Sequence, residues 1–320
     1  MRAPVDFLDR HQTALCLLAL VVGAAVGILT PSAAHPLELA VEPVLGLLLY
    51  ATFLGVPFSQ IRRAMRDGRF VATILVLNFV VVPVVVLALA RIVAHDRALL
   101  VGVLFVLLAP CVDYVIAFTG MAGGAQDRLL AAMPILLIGQ MIVLPLALWA
   151  MTGREVVAAI EPAPFLRALL LLIVIPLAAA ALTQAASRTR AGRRLRDAVT
   201  AAMVPLMMLT LALVVASQIH GIGAHLGALA LAILVHVLFA AVMVPLGILA
   251  GRVARIDVAG RRALVFSGVT RNSLVVLPLA LALPEALALV PLVIVSQTLV
   301  ELVTMVILVR IVPRVVRHHA

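Results

Sequence analysis

The chain has 320 residues, of which 65% are hydrophobic and 12% are charged, and its formal net charge is +10. Soluble globular proteins contain roughly 45–50% apolar and about 25% charged residues, so this composition excludes an ordinary soluble domain. The charged residues form short clusters between long apolar segments and make no continuous basic face, which argues against nucleic acid as a partner. We therefore expect an all-α integral membrane protein whose surroundings are the lipid bilayer.

Apolar segments of membrane-spanning length recur along the whole chain. A hydrocarbon core of about 30 Å requires roughly 20 residues of helix. We predict ten transmembrane helices, over residues 13–30, 41–60, 70–92, 98–120, 128–151, 164–186, 199–219, 225–250, 262–283 and 286–312. The alternatives are nine helices, if 98–120 is a re-entrant segment, or eleven.

The basic residues favour this count and give an orientation. All 24 of them are arginines, and cytoplasmic loops of membrane proteins collect basic residues. With both termini in the cytoplasm, every arginine lies on the inner side except Arg271, which falls within a helix, and Arg91, Arg97, Arg154 and Arg167. We expect a multi-pass protein of the plasma membrane, whose first apolar segment is a transmembrane helix and not a signal peptide.

The two halves of the sequence share landmarks at a nearly constant offset. The paired landmarks are 82–83 with 244–245, the polar clusters 110–114 with 268–273, and 138–140 with 295–297. Because each half contains an odd number of helices, the halves would be inverted relative to each other, a design found in secondary transporters. We predict one transporter domain over 1–320, with repeat one at 1–155 and repeat two at 156–320. Helices four and nine would be broken and crossed.

Three charged residues fall inside predicted helices, namely Asp113, Arg271 and Glu301. A charge at the centre of a membrane helix costs about 2.5–3.5 kcal/mol and normally marks a pathway or a partner. Asp113 and Arg271 occupy matching positions with opposite charge, so they could form a structural clasp, act directly in transport, or do both. Glu301 shares a helix face with Gln297, and we expect it to pair with a neighbour or to exchange a proton.

The two cysteines have different surroundings. We interpret Cys16 as an apolar packing residue, whereas Cys111 follows the helix-breaking Pro110 and precedes an acidic residue by two positions. A soft sulfur ligand there suits thiophilic solutes. Other polar residues in apolar segments could line a path or only join neighbouring helices; they are Asn78, Gln140, Gln218, His236, Asn272 and Gln297. No catalytic or nucleotide-binding motif is present, so we expect neither an enzyme nor a cofactor or metal site.

The segment LLAPCVDYVIAFTGMAGGAQDRL resembles the fourth helix of the arsenite-efflux permeases, a branch of the bile acid:sodium symporter superfamily. That helix has an APC motif with a glycine thirteen residues after the cysteine, here Cys111 and Gly124. SQTLVELVTMVILV resembles the last helix of the same family, with Glu301 as its glutamate. The resemblance covers most of residues 10–312. It implies a panel domain, a core domain built around two crossed and broken helices, and roles for Cys111 and Glu301 in moving arsenite or antimonite.

Two departures from the family pattern bear on the coupling ion. After the APC motif the chain has Asp113 and Tyr114, where arsenite permeases continue with small and apolar residues. In the ninth helix Asn272 and its following serine match sodium-coupled members, but Ser267 and Arg271 stand where those members have a glutamate and a glutamine. An arginine opposes a sodium ion by like charge, so we expect a proton rather than sodium as the coupling ion.

The function predicted from the sequence is arsenite export by a secondary transporter driven by the proton motive force. The predicted transport residues are Cys111, Asp113, Arg271, Asn272 and Glu301, supported by Asn78, Gln140, Ser267 and Gln297. The alternative is a carrier of an organic anion, with Arg271 binding the carboxylate or sulfonate of the substrate. A membrane-embedded enzyme or receptor is the hypothesis from another class, and the lack of a catalytic constellation and of a soluble signalling domain in the sequence argues against it.

Overall fold

The computed structural model describes residues 2–55, 67–110, 115–159, 170–224, 226–281 and 283–317. Over these ranges the regular structure is helical, without a strand, and one isolated β-bridge joins Pro110 to Arg271. Helices satisfy their own backbone hydrogen bonds, which is what a bilayer requires of a chain that crosses it. The protein is therefore an all-α membrane protein.

The helices are numbered here in chain order. They are α1 (Arg2–Leu29), α2 (Ala34–Gly55), α3 (Gly68–Val76), α4 (Val82–Ala90), α5 (Arg97–Leu107), α6 (Val115–Met121), α7 (Gln126–Ala159), α8 (Ile175–Ala186), α9 (Arg190–Ala201), α10 (Met203–Ala224), α11 (Leu226–Val253), α12 (Val258–Val269), α13 (Ser273–Leu281) and α14 (Val290–Val315). Short 3₁₀ turns occupy Pro31–Ala33, Arg91–Val93 and Glu285–Leu287, and π-helical turns occupy Leu77–Val81 and Leu170–Val174.

Several of these segments have the length and hydropathy of membrane spans. Among the described residues, four qualify as single helices: Pro31–Gly55, Gly68–Val93, Gly227–Val253 and Glu285–Val315. Two more qualify as bent pairs, Gln126–Met133 with Ile135–Met151 at 52° and Arg190–Ala201 with Met203–Ser217 at 43°. Leu17–Leu29, Arg97–Leu107 and Ile175–Ala186 are shorter apolar helices. The chain is thus multi-pass, and the count of ten spans stays a prediction.

The chain divides into two compact units. Unit 1 consists of Met1–Val56, Glu161–Leu226 and Leu277–Leu283. Unit 2 consists of Pro57–Ile160, Gly227–Val276 and Pro284–Ala320. Each unit draws on both halves of the sequence, and the repeat boundary at 155 stays a prediction.

In unit 1, small residues let α1 and α10 approach closely. Gly23 and Gly27 are one helical turn apart on α1 and lie against Ala212 and Ala216 of α10. A Cβ atom on either glycine would collide with the backbone of the facing alanine. Small residues four apart are the usual means by which membrane helices pack, because apolar side chains gain little by leaving lipid.

Polar side chains join α2 to α8 in the same unit. The hydroxyl groups of Tyr50 and Thr183 are 2.8 Å apart, and Gln184 Nε2 donates to the carbonyl of Leu54 at 3.1 Å. Interhelical hydrogen bonds of this kind fix the register of membrane helices.

A helix that the sequence did not predict lies between α8 and α10. Residues 187–198 fall in a predicted inner loop, yet α9 begins at Arg190. Its N-cap is Thr189, whose Oγ1 accepts from the backbone N–H of Gly192 at 3.0 Å. Such a cap satisfies one of the donors left open at a helix start. The polarity of α9 hid it from a search for apolar segments.

In unit 2, a π-helical turn interrupts the span that contains α3 and α4. The turn covers Leu77–Val81 and is followed directly by α4, whose second residue is Pro83. Proline has no N–H and its ring crowds the preceding turn, and the wider π geometry is a common way to accommodate this. The turn is the element that carries Asn78.

The packing of α14 against α5 forms the centre of unit 2. Gly102 of α5 faces Val293 of α14 so closely that a Cβ atom would collide with the valine side chain. The buried residues of α5 run from Ala98 to Leu107, and α14 also contacts α12 and α6. These contacts place Gln297 and Glu301 of α14 beside the interruption between α12 and α13.

Ionic and polar contacts tie the chain together at one end of unit 2. Arg128 at the start of α7 lies 2.6 Å from Asp257 and 3.3 Å from Asp67, the residues that precede α12 and α3. Arg262 of α12 donates to the carbonyls of Ala122 and Val316 at 3.0 Å each. Basic side chains commonly satisfy the open carbonyls at helix C-termini, and here one guanidinium does so for α6 and α14.

Candidate functional site

The interruptions between α5 and α6 and between α12 and α13 meet in unit 2. Pro110 and Arg271 form an antiparallel β-bridge, and the backbone N–H of Asn272 donates to the carbonyl of Ala109 at 2.8 Å. Non-helical backbone survives at membrane depth only where protein or a water-filled cavity satisfies it. Here each interruption satisfies the other, so the predicted meeting of the two polar clusters is present at these residues.

The side chain of Arg271 is fully buried, with 0% of its surface exposed. Its Nη1 donates to the carbonyl of Leu107 at 3.3 Å. Its Nη2 lies 2.7 Å from the carbonyl of Ser267, 2.8 Å from that of Gly268 and 3.0 Å from Asn78 Oδ1. The guanidinium is therefore enclosed by neutral oxygen atoms from three parts of the chain.

An aromatic ring adds to this environment. The guanidinium carbon of Arg271 lies 5.3 Å from the centre of the Phe239 ring on α11, within the range of a cation–π interaction. Arginine keeps its charge at all accessible pH values, and a buried charge without compensation costs several kcal/mol. The oxygen atoms and the ring both contribute to the compensation of this charge at the junction of α12 and α13.

Glu301 connects α14 to the second interruption. It is buried, and its Oε2 accepts from the backbone N–H of Arg271 at 2.6 Å and from Nε2 of Gln297. Hydrogen bonds to a carboxylate are about twice as strong as neutral ones. The carboxyl group therefore positions the main chain of the interruption, and any change in its protonation acts directly on that main chain.

Asn78 links the π-helical turn to α12. Its Nδ2 donates to the carbonyl of Ile74 and to Oγ of Ser267, each at 3.0 Å, while its Oδ1 accepts from Arg271. An α-helical turn that continued through this region would direct the side chain elsewhere, since a π turn shifts the helix face by one residue. The turn is thus what brings Asn78 to Arg271.

A second polar link comes from α7. Nδ2 of Asn272 donates to Oε1 of Gln140 at 3.3 Å, and both side chains are buried. Since the backbone N–H of Asn272 bonds to Ala109, this asparagine joins α7 to both interruptions.

Three buried oxygen atoms close to the interruption have no hydrogen-bond partner within the described residues. They are Oδ1 of Asn272, Oγ of Ser273 and Oε1 of Gln297. Gln297 and the backbone N–H of Arg271 bind the same oxygen of Glu301, so all three atoms belong to one neighbourhood. An unsatisfied buried polar group costs about 1–3 kcal/mol, and such groups require an explanation. A solute that offers hydrogen-bond donors would satisfy them.

His236 of α11 is a further buried polar residue. It is 2% exposed, and in the described part of the chain neither ring nitrogen has a hydrogen-bond partner. Phe239, which lies over Arg271, is three residues away and hence on a neighbouring part of the same helix face. His236 therefore lies on the side of α11 that faces the site.

The structure brings together most of the residues predicted from the sequence. The described members are all buried and linked by hydrogen bonds; they are Asn78, Gln140, Ser267, Arg271, Asn272, Gln297 and Glu301. Cys111 and Asp113 lie outside the described residues, as does the side chain of Cys16. The pairing of Asp113 with Arg271 therefore stays a prediction.

Sequence reasoning missed the partners that are not polar side chains. The ring of Phe239 and the carbonyls of Leu107 and Gly268 contact Arg271, as Asn78 does. Nothing distinguishes these residues from their neighbours in an apolar helix. Within the described residues, no three His, Cys, Asp or Glu side chains come together as a metal site.

Comparison with known proteins identifies the family. Residues 42–225 match the model of the Sodium Bile acid symporter family, which is more than half of the chain. The chain belongs to the Sodium Bile acid symporter family. No curated protein matches it. Members of this family are transporters, so this protein is a transporter-like membrane protein. The match includes the interruption between α5 and α6. It ends before Arg271 and Glu301.

Proposed function

We propose that this protein is a secondary transporter that exports arsenite, the neutral acid As(OH)₃, across the plasma membrane, with antimonite as a second substrate. The observation that carries the proposal is the group of three polar atoms, on Asn272, Ser273 and Gln297, that have no hydrogen-bond partner among the described residues. As(OH)₃ offers three hydroxyl donors around one centre. A neutral solute with this pattern would satisfy the group without introducing a charge beside Arg271.

Cys111 supplies the selective contact in this proposal. It follows Pro110, whose backbone bridges to Arg271. The thiol attacks arsenic, the As–O bond to one hydroxyl breaks, and the thiol proton leaves with that hydroxyl as water. The product has a single As–S bond and keeps two hydroxyl groups as donors, so all three donors are present only before this bond forms, and reversal by water releases the solute. One soft ligand gives selectivity for a thiophilic centre while keeping the affinity low enough for release.

Coupling to protons is proposed to run through Glu301, with Asp113 as the other carboxyl group that could exchange a proton. Intramembrane carboxyl groups serve as proton relays in many transporters. Protonation of Glu301 would weaken its hydrogen bond to the backbone N–H of Arg271. The guanidinium of Arg271 would pair with whichever of the two carboxylates is ionised. Movement of one helix group against the other would then alternate the access to the site.

The second candidate is an organic-anion carrier in which Arg271 binds the substrate. The geometry weighs against it, because the described hydrogen bonds already direct both terminal nitrogens of Arg271 at protein oxygens. An anion would have to displace several of these bonds to reach the guanidinium. A neutral solute could bind without displacing the hydrogen bonds of Arg271.

Transport of radiolabelled arsenite into everted membrane vesicles tests the proposal. Cys111→Ser, which keeps the size of the side chain but removes the soft sulfur, should abolish accumulation at unchanged expression. Cys16→Ser is the matched control and should transport normally. Asn272→Leu should also reduce accumulation, by removing one of the polar atoms offered to the solute. Full accumulation by the Cys111→Ser protein would refute the proposed chemistry and favour the organic-anion carrier.

A further inference from the structure

The most basic segment of the chain lies in unit 1, outside the site described above. Residues 187–201 contain five arginines and one acidic residue, Asp197. All five arginines are exposed; they are Arg188, Arg190, Arg193, Arg194 and Arg196. Arg196 pairs with Asp197 at 3.2 Å, and Arg193 donates to the backbone carbonyl of Arg188 at 2.9 Å. Most of the positive charge therefore remains available to a partner.

The segment is held in a fixed place. Gly192 lies against the carbonyl of Ala186 at the end of α8, where a Cβ atom has no room, and α9 packs against α2 and α8. At its other end, α9 passes into the apolar α10 through a bend of 43°. Because α8 ends and α10 begins beside it, α9 lies at the level where apolar spans give way to polar chain. That level is the headgroup region of a bilayer.

The arrangement of side chains around α9 matches this position. At about 100° per residue, Arg190 and Arg194 lie opposite Gly192, and Arg193 lies between Gly192 and Arg190 around the helix. Leu195 lies on the side of the helix away from these arginines and is 50% exposed. A helix with arginines on one side and an exposed leucine on the other is typical of helices that lie in the membrane interface.

We propose that α9 is a binding surface for anionic phospholipids, with Arg190, Arg193 and Arg194 contacting the phosphate groups. Guanidinium groups bind phosphate with two parallel hydrogen bonds, and basic clusters next to membrane helices attract anionic headgroups. On the predicted topology these lipids belong to the inner leaflet. None of these arginines belongs to the proposed transport site, and the test of this proposal does not depend on the transported solute.

Lipid binding to the purified full-length protein tests this proposal. The protein in a neutral detergent is mixed with phosphatidylglycerol or with phosphatidylcholine, and bound lipids are counted by native mass spectrometry. We expect at least a fivefold preference for phosphatidylglycerol that declines as salt is raised, since surface charges are screened. The variant with Arg190→Gln, Arg193→Gln and Arg194→Gln should lose this preference.

A matched variant controls for net charge. Arg252→Gln, Arg314→Gln and Arg317→Gln remove the same charge from exposed positions outside α9 and should keep the preference. Equal losses in the two triple variants would overturn the proposal, as would a wild-type protein without preference. If the α9 variant does not fold, Arg190→Lys, Arg193→Lys and Arg194→Lys take its place. Those lysines keep the charge but not the paired hydrogen bonds, and an unchanged preference would refute arginine-specific phosphate contacts.

Free phosphate is the other source of the same chemistry. Adding glycerol phosphate at millimolar concentration should leave the bound phosphatidylglycerol within twofold of its original level, because the proposed surface also uses the membrane interface around Leu195. Complete displacement at that concentration would show a site for a soluble anion and overturn the assignment to lipid.

Discussion

The backbone N–H of Arg271 donates to Oε2 of Glu301 at 2.6 Å, so a carboxyl group on α14 holds the main chain at the point where α12 gives way to α13. The same oxygen accepts from Gln297 one turn away. The relationship makes the shape of the interruption depend on an ionisable side chain.

Replacing Glu301 separates its structural role from its ionisation. Glu301→Gln retains a carbonyl oxygen for the two donors, so the unfolding midpoint should stay close to that of wild type while transport loses its response to a pH gradient. Glu301→Leu leaves both donors without an acceptor and should destabilise unit 2 by about 1–3 kcal/mol for each. Thermal unfolding in detergent and vesicle transport at several pH values measure the two effects. Normal pH-driven transport by Glu301→Gln would exclude Glu301 as the proton carrier.

From the permanent positive charge of Arg271 we predict that transport is independent of sodium. Its guanidinium is a permanent cation among the oxygens of Leu107, Ser267, Gly268 and Asn78, and a second cation there would be repelled. Replacing sodium with choline should therefore leave the initial transport rate in vesicles unchanged, whereas collapsing the proton gradient should stop it. A rate that falls to background in choline would contradict the prediction.

The close packing of α1 on α10 predicts unequal effects of two glycine substitutions. In Gly23→Ala the new methyl group would lie 2.5 Å from the carbonyl oxygen of Ala212, and overpacking of this kind costs typically 1–3 kcal/mol. Gly227→Ala in α11 is the control, because open space surrounds that position and alanine favours helix. Thermal unfolding should show a lower midpoint for Gly23→Ala alone. Similar midpoints for the two variants would mean that α1 and α10 are not in close contact.

His236 and Asn78 are both buried but differ in their hydrogen bonding. Within the described residues the imidazole has no partner, so His236→Leu removes an unsatisfied group and should leave stability unchanged or raise it by about 1–3 kcal/mol. Asn78→Leu removes bonds to Ile74, Ser267 and Arg271 and should be strongly destabilising. The unfolding midpoints of the two variants test this difference. A loss in His236→Leu as large as that in Asn78→Leu would indicate that the imidazole is engaged in the native protein.

Polar side chains within apolar segments were the part of the site that the sequence could predict. A buried amide or charge in a membrane needs a partner, so Gln140, Arg271 and Glu301 could be expected to lie together without knowledge of the fold. The backbone carbonyls that accept from Arg271 could not be predicted. Every residue has a carbonyl, and only the fold decides which carbonyls lack a donor within their own helix. The carbonyl of Leu107 is open because α5 ends there, and that ending was visible in the sequence only as Pro110.

The helical class could likewise be predicted from hydropathy, whereas the grouping of helices could not. Both units combine segments from the two ends of the chain, a property of long-range contacts that local composition does not encode. The helix α9 was missed for a different reason. Its stability depends on the cap at Thr189 and on packing at Gly192, and neither feature resembles the apolar pattern of a membrane span.

The bridge between the two interruptions also constrains how the protein is made. Leu107 and Arg271 are 164 residues apart in the chain, so the first broken helix leaves the ribosome well before its partner exists. Until α12 and α13 insert, the carbonyl of Ala109 lacks the donor that Asn272 supplies, and water or the insertion machinery must satisfy it. The segments of unit 2 that are synthesised first therefore lack part of their native hydrogen bonding until the second interruption has inserted. A chain truncated before Asn272 should retain this defect and be degraded in the cell.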